Sequence, residues 1–135
     1  MRRIQVVAGI LLNDKHEVLI AERVGDGPFH GMWEFPGGKI DADEEPPQAL
    51  VRELEEELGI GVVDSRFFLS LRHDYADRRV SIDFYLVEQW QAEPAGLEGQ
   101  ALRWVSIEEL SADELLPADA PVVSALKQLR SVPSA

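Results

Sequence analysis

Residues 80–86 alternate between large apolar side chains and more mixed or polar ones, the apolar set being Val80, Ile82, Phe84 and Leu86. A period of two places such a set on one face of a β-strand, so residues 80–90 are predicted to be a strand. Comparable stretches predict further strands at residues 4–12, 18–23, 32–35, 60–72 and 102–105. Residues 13–17, which include Asn and Asp, predict a hairpin between the first two.

Helical patterns occur at residues 46–58, at residues 106–110 after Ser106, and from Pro121 onward. The first has prolines in its opening turn and Gly59 after its end, as helices commonly do. Four residues of the last helix are expected to face the core: Val122, Val123, Leu126 and Leu129. Strands and helices mixed in this order, without strict βαβ alternation, predict an α+β fold with a mixed β-sheet between α-helices.

The composition indicates one folded domain, because the 135 residues are 45% hydrophobic and 28% charged. We expect it to span residues 1–131, followed by a short tail at residues 132–135. The formal charge of -12 repels polyphosphate polymers, so no nucleic-acid partner is expected. A small anionic substrate would need a cation to screen it, which points to a divalent metal. A monomer and a dimer are both compatible with the sequence.

The absence of cysteine excludes disulfides, thiolate metal sites and a cysteine nucleophile. The basic start of the chain, followed by the apolar residues 4–12, could be a secretory signal. A buried strand is favoured, since that run enters the turn at Asn13 without a small-residue cleavage site. No apolar run approaches the length that crosses a membrane. We therefore expect a cytoplasmic protein without a membrane partner.

Three carboxylates share one side of the helix predicted at residues 46–58. Glu53, Glu56 and Glu57 fall within an arc of roughly 100° on an α-helix. A separate apolar stripe is expected to face the core: Leu50, Val51, Leu54 and Leu58. Like charges at this spacing repel by ~0.2–0.5 kcal/mol per pair unless a cation lies between them. Hard oxygen ligands favour Mg²⁺ or Mn²⁺, whereas the alternative is a solvated acidic face.

The residues around this helix form one long motif. It reads Gly38, five residues, Glu44, seven residues, Arg-Glu-hydrophobic-x-Glu-Glu-x-Gly-hydrophobic, and it ends at Ile60. The motif resembles the Nudix box at every specified position. Similarity to the MutT-like nucleotide pyrophosphohydrolases of this family covers nearly the whole chain, through residues 33–39, 77–78, 98–100, 104 and 117–121. The resemblance implies the Nudix fold, an α/β/α sandwich, and hydrolysis of a nucleoside diphosphate linked to another group.

The resemblance also implies a metal site. Its expected ligands are the three helix glutamates, a backbone carbonyl of Gly37 or Gly38, and Glu98 from the loop at residues 91–100. Mg²⁺ is the expected cofactor, and Mn²⁺ is an expected substitute. Glycines at positions 37 and 38 would let the backbone approach metal and phosphate closely, whereas the alternative is a simple turn.

The same resemblance implies catalytic roles. Glu53 is the first candidate for the carboxylate that orients or deprotonates the attacking water, and Glu98 and Glu44 are its rivals. Lys39 and Arg23 are expected to meet phosphate oxygens. Arg52 is expected to form an internal ion pair that holds the glutamates. Because the family's substitution occurs at the β-phosphorus, the expected products are a nucleoside monophosphate and pyrophosphate.

Phe35, Tyr75 and Arg78 are candidates for contacts to a base, although both aromatic residues could equally be core residues. The 8-oxo-dGTP-cleaving members typically have Asn where this chain has Asp119. An ionised Asp only accepts hydrogen bonds and would prefer exposed N–H groups such as cytosine N4. The segment Pro-Ala-Asp-x-Pro at residues 117–121 also resembles the CTP and modified-dCTP branch. Alternatively, Asp119 only caps the last helix.

We therefore expect a Mg²⁺-dependent pyrophosphohydrolase that removes oxidised or modified nucleoside triphosphates from the nucleotide pool and so contributes to DNA repair, with 8-oxo-dGTP as the leading substrate. A CTP or modified-dCTP pyrophosphohydrolase is the alternative. A nucleotide-sensing module with vestigial catalysis is the alternative of another class, against which the three intact helix glutamates argue. No role is predicted for Asp83.

Overall fold

The structure of this protein, a computed structural model, describes residues 3–25, 27 and 29–131. The tail predicted at residues 132–135 lies outside this part. The described residues form the strands β1 (Arg3–Leu11), β2 (Glu17–Glu22), β3 (Trp33–Glu34), β4 (Gly37–Lys39), β5 (Gly61–Asp74), β6 (Arg79–Gln91) and β7 (Leu102–Ser106). They also form the helices α1 (Pro46–Leu58) and α2 (Ala120–Ser131), with a 3₁₀ turn at Ala112–Glu114.

The strands are divided between two sheets. A four-stranded sheet has the order β4-β1-β6-β5, and a three-stranded sheet has the order β3-β2-β7. The pairing of β1 with β6 is parallel, and the other strand pairs are antiparallel. Strand β4 contains Gly37 and Gly38, for which the sequence left a simple turn as the alternative. This strand pairs with β1.

Helices α1 and α2 pack against opposite faces of these strands. Alternate strand residues, such as Val7, Leu19 and Tyr85, join the buried leucines of α1 in one hydrophobic cluster. Their neighbours Ala8, Ile20 and Phe84 join α2 in the other cluster. This alternation follows from the two-residue period of a strand. The predicted α+β fold, with strands between helices, is confirmed.

The hairpin predicted between the first two strands is wrong in one respect. The turn is present, and Asn13 Oδ1 accepts hydrogen bonds from Lys15 N at 3.0 Å and Glu17 N at 2.9 Å. The two strands, however, belong to different sheets, and an isolated bridge pairs Leu12, just after β1, with Val18 of β2. The turn therefore carries the chain from one sheet to the other. Turn chemistry is local, whereas strand partners depend on long-range packing.

Three smaller predictions are also corrected. Residues 106–110 are not a helix but a single turn, closed by a 3.0 Å hydrogen bond from Leu110 N to Ser106 O. The Ser106 hydroxyl oxygen accepts from Glu109 N at 3.2 Å, so it caps that turn. Val51 and Leu129, both expected in the core, are 40% exposed. Val51 lies at the margin of the apolar stripe of α1, and Leu129 lies near the end of α2.

In the described part of the chain, neither helix has the length and hydropathy needed to span a membrane.

Candidate active site

Helix α1 is set in place by its two ends. At its start, Glu45 N donates to Gln48 Oε1 at 2.9 Å, and two prolines occupy the first turn. At its end, Gly59 adopts a left-handed φ of 71° and donates from its N–H to Glu55 O at 2.9 Å. Prolines suit a first turn, and glycine suits a left-handed end. The register of the carboxylates along the helix is fixed between these points.

Two of the three predicted carboxylates reach the glycine strand β4. Glu53 and Glu57 follow the fully buried Ala49 at intervals of four residues, so all three share one row of the helix surface. Glu57 Oε2 accepts a hydrogen bond from Gly37 N at 3.2 Å. The Glu53 carboxylate lies directly against Gly38. Backbone and carboxylates therefore lie close together at these glycines, whereas the predicted approach of the backbone to metal and phosphate stays a prediction.

The third carboxylate, Glu56, is exposed and turns toward Arg52, whose Nη1 lies 3.3 Å from Glu56 Oε2. The same guanidinium donates to Glu53 Oε1 at 3.0 Å and to both oxygens of Glu44 at 2.8 and 2.9 Å. It also donates to the Lys39 carbonyl at 3.1 Å. Arg52 therefore forms the predicted internal ion pairs, and it holds α1 against β4.

Glu44 is held by this network. Hydrogen bonds from Arg52 and from Asp41 N lower the pKa of Glu44 to about 2. Its two oxygens accept three hydrogen bonds in total, two from Arg52 and one from Asp41. A carboxylate so strongly stabilised in its ionised form is a weak proton acceptor. Among the three predicted candidates for the base, Glu44 is therefore the least suited.

A cavity of about 230 Å³ opens beside the glycine strand. All five residues predicted to bind substrate line this cavity, together with both glycines and the predicted phosphate-binding lysine: Arg23, Phe35, Gly37, Gly38, Lys39, Tyr75, Arg78 and Asp119. Apolar side chains of β1 and β6 line it as well. The fold thus brings these residues from separate parts of the sequence to one place.

Asp119 is 4% exposed at the cavity wall. Its Oδ2 accepts a hydrogen bond from Phe35 N at 2.9 Å, so the side chain contacts the backbone between β3 and β4. Burial raises the pKa of Asp119 to about 7. Both the ionised form considered for the sequence and the neutral form are therefore populated near neutral pH. Near neutral pH a large fraction carries a proton and can donate as well as accept.

Residues 2–126 match the family of the NUDIX domain. The chain belongs to the Nudix family. This Nudix chain is 43% identical over 129 residues to the 8-oxo-dGTP diphosphatase of Escherichia coli K12, covering 96% of this chain and 100% of the relative. It is 38% identical over 131 residues to the CTP pyrophosphohydrolase of the same strain, covering 97% and 96%. The solution structure of the E. coli ORF135 protein superposes with a TM-score of 0.85 at 38% identity, covering 100% of this chain and 96% of that one.

Members of the Nudix family generally need a divalent metal. Among the described residues, no group of three or more His, Asp or Glu side chains is placed so that it could hold a metal ion. Burial, together with the negative charges of Glu34 and Glu98, raises the pKa of Glu57 to about 8. Burial also raises the pKa of Glu53, against the opposing effect of Arg52. Glu53 and Glu57 present hard oxygen ligands from one row of α1, the kind that a divalent cation prefers. Glu56 would have to leave its ion pair with Arg52 to join them.

Tyr75 connects two loops of the Nudix domain at the cavity. Its hydroxyl oxygen accepts a hydrogen bond from Ala118 N at 3.1 Å, next to Asp119. The Arg78 guanidinium lies 5.6 Å from the Tyr75 ring centroid, and the Phe29 ring centroid lies 5.2 Å away. Arg78 Nε is buried without a hydrogen-bond partner among the described residues. It is therefore a donor that a ligand in the cavity could satisfy.

The sequence patterns indicate no role for Glu34. This carboxylate lines the cavity, and its Oε1 lies 3.2 Å from Arg23 Nη1. Burial raises the pKa of Glu34, opposed by the charge and hydrogen bond of Arg23. Its own charge in turn raises the pKa values of Glu57 and Asp119. The sequence analysis recognised residues 33–39 as similar to the family. The pairing of Ala21 with Glu34, which brings Arg23 close to Glu34, depends on the tertiary structure.

Proposed function

We propose that this Nudix hydrolase cleaves an oxidised or otherwise modified nucleoside triphosphate to a nucleoside monophosphate and pyrophosphate, with 8-oxo-dGTP as the leading substrate. The observation that carries the proposal is the single cavity that joins Asp119, Tyr75 and Arg78 to the glycines beside Glu53 and Glu57. A base can lie at one end and its phosphates at the other. The relative named as an 8-oxo-dGTP diphosphatase supports this choice of substrate.

Mg²⁺ is the proposed cofactor, with Mn²⁺ as a substitute. Glu53, Glu56, Glu57, Glu98 and a carbonyl of the Gly37–Gly38 pair would hold it. When bound, the metal would neutralise phosphate charge and favour an ionised water. The raised pKa values of Glu53 and Glu57 support this set, because burial and, to a smaller extent, neighbouring carboxylates disfavour their charged forms, which a bound cation would stabilise.

Glu53 is the proposed acceptor of the proton from the attacking water. Arg52 holds Glu53 Oε1 at 3.0 Å, which leaves Oε2, on the side of Gly38, free to accept. Lys39 and Arg23 line the cavity and would bind phosphate oxygens. Glu34 would keep Arg23 directed along the cavity wall through their 3.2 Å ion pair. Attack of water on the β-phosphorus requires mainly that the reactants are positioned and that phosphate charge is neutralised, and these residues would supply both.

Asp119 is the proposed reader of the base. Its Oδ2 is held by Phe35 N, so Oδ1 would face the ligand. A protonated carboxyl can donate to the O6 of an oxidised guanine, whereas the ionised form accepts from an amine such as cytosine N4. The second property, together with the relative named as a CTP pyrophosphohydrolase, favours a cytidine-type triphosphate as the second candidate.

A product assay tests the proposal. The purified protein is incubated with 8-oxo-dGTP, dGTP, CTP and dCTP, each with Mg²⁺, with Mn²⁺ or with EDTA. We expect release of pyrophosphate and not phosphate, dependence on the metal, and the highest kcat/KM for 8-oxo-dGTP. In ¹⁸O-labelled water the label should enter pyrophosphate, since water attacks the β-phosphorus. Nucleotide binding without turnover would instead support the sensing module, and release of orthophosphate would refute the reaction.

A further inference from the structure

Gln100 is a buried polar residue in the loop that carries Glu98. Gln100 is only 7% exposed to solvent. The amide oxygen Oε1 accepts a hydrogen bond from Glu98 N at 2.9 Å. The amide nitrogen Nε2 donates to Glu57 O, in the last turn of α1, at 3.3 Å. One side chain therefore connects the backbone of Glu98 to the backbone of Glu57.

The rest of the loop supports this connection. Leu97 N also donates to Glu57 O, at 3.2 Å, and Ala95 N donates to Leu58 O at 3.0 Å. These bonds use carbonyl groups that the end of a helix otherwise leaves unpaired. A Cβ added at Gly96 would lie 2.1 Å from Gln100 O, so the loop packs tightly around Gln100. Several hydrogen bonds thus attach the loop to the end of α1. Gln100 contributes the one that comes from a side chain, whereas the other two come from backbone N–H groups.

We propose that Gln100 is a positioning residue that holds Glu98 next to Glu57, and so completes the metal site from the loop side. The inference rests on the proposed function, in which Glu57 and Glu98 bind the divalent metal. Gln100 itself is not among the residues that line the cavity. The Gln100 amide offers both the acceptor for Glu98 N and the donor for Glu57 O. Residues that orient metal ligands commonly change affinity by about 10–100-fold when replaced.

Mn²⁺ affinity without nucleotide is the measurement that tests this inference, read from the electron paramagnetic resonance of free Mn²⁺. Gln100→Met keeps the length of the side chain and removes both hydrogen bonds. We expect it to bind Mn²⁺ at least about 10-fold more weakly than the native protein. Ionised, Gln100→Glu keeps an acceptor for Glu98 N and loses the donor to Glu57 O. Its Mn²⁺ affinity should also be lower than that of the native protein. Gln89→Met, on the exposed part of β6, is the matched control.

A double-mutant cycle separates positioning from a general loss of structure. In a Glu98→Gln background, Gln100→Met should cause little further loss of Mn²⁺ affinity, because Gln100 acts through Glu98. Amide hydrogen exchange at Glu98 and Leu97 should become faster in Gln100→Met, whereas the Tm should change little. Unchanged Mn²⁺ affinity in Gln100→Met, or an equal loss in both backgrounds, would overturn the inference.

The proposed function is tested separately by pyrophosphate release from the native protein in the same preparation. Release by the native protein, with unchanged Mn²⁺ affinity in Gln100→Met, would refute this inference alone. No release by the native protein would refute the proposed function, while the Mn²⁺ titrations would still decide the role of Gln100.

Discussion

Gly38 and Glu53 are so close that no side chain fits between them. A Cβ placed on Gly38 would lie 2.3 Å from Glu53 Oε2 and 2.7 Å from Oε1. Strand β4 and the Glu53 carboxylate of α1 therefore pack directly against each other, even though fourteen residues of sequence lie between Gly38 and Glu53. The main-chain approach, and not a flexible turn, is what glycine provides at this position.

Gly38→Ala should displace the Glu53 carboxylate and lower kcat by about 10²-fold, since small displacements of reacting groups have effects of that size. The fold should persist, because Glu53 is a side chain with room to move toward solvent. Pyrophosphate release and the far-ultraviolet circular dichroism spectrum check both points. Gly61→Ala is the control, as its added Cβ would meet only Gln91 at 3.8 Å or more. Native activity in Gly38→Ala would show that the placement of Glu53 is not critical.

Glu53→Gln should reduce kcat by about 10²–10⁴-fold, the range associated with a positioned proton acceptor. Its Tm should be equal to or above that of the native protein, because burial already disfavours the charged form of Glu53 and raises its pKa. Single-turnover rates and thermal melts measure these effects. Glu55→Gln makes the same change at an exposed position of the same helix. If Glu53→Gln turned over at the native rate, Glu98 would replace Glu53 as the candidate base.

Arg52→Lys should lower the Tm, because a single ammonium group cannot bridge Glu44, Glu53 and Glu56 as the guanidinium does. Glu44 has a pKa lowered from 4.5 to about 2 by Arg52 and Asp41 N, so its contribution to stability is present above pH 4.5 and is lost as the pH falls through 2. The Tm difference should therefore be full at pH 6 and small at pH 2. Arg66→Lys, in an exposed pair with Glu88, is the control. A difference that stayed constant with pH would exclude Glu44 as its source.

Asp119→Asn should stabilise the protein at pH 8 and have little effect at pH 4. Because the folded-state pKa of Asp119 is raised from 3.8 to about 7, its neutral form is favoured on folding. The stability it contributes is present below pH 3.8 and is lost as the pH rises through 7. Asn stays neutral and can still accept from Phe35 N. The gain at pH 8 should be on the order of a few kcal/mol, measured by urea denaturation. Asp64→Asn, at an exposed strand position, should show no such pH dependence.

Asp119→Asn should also raise the ratio of kcat/KM for 8-oxo-dGTP to that for CTP by about one to two decades. The amide always offers a donor to a base carbonyl, whereas the native carboxyl loses its donor as the pH rises through about 7. In the native protein the ratio should therefore fall between pH 6 and pH 8, and in the variant it should stay level. Parallel initial-rate assays of both substrates across this range decide the point. Identical ratios in both proteins would mean that Asp119 does not read the base.

Local patterns in the sequence were sufficient for much of the fold. The bounds of α1 follow from its prolines and Gly59, and the alternation at residues 80–86 predicted β6. Sequence patterns did not predict that β1 and β2 belong to different sheets. They also did not predict that residues 106–110 form a single turn and not a helix. A strand can exchange partners without a change in its own pattern, and a single turn becomes a helix only if the next residues continue its hydrogen bonding.

The sequence by itself determined the family motif and the row of carboxylates on α1, because both depend on spacing along one chain segment. Tertiary structure alone decided that Glu56 turns to Arg52, that Glu34 meets Arg23, and that Gln100 joins Glu98 to Glu57. It also decided the raised pKa of Asp119, since a pKa depends on how much water and charge surround the carboxyl. Spacing is a property of neighbours in sequence, whereas desolvation and pairing arise only when distant segments come together.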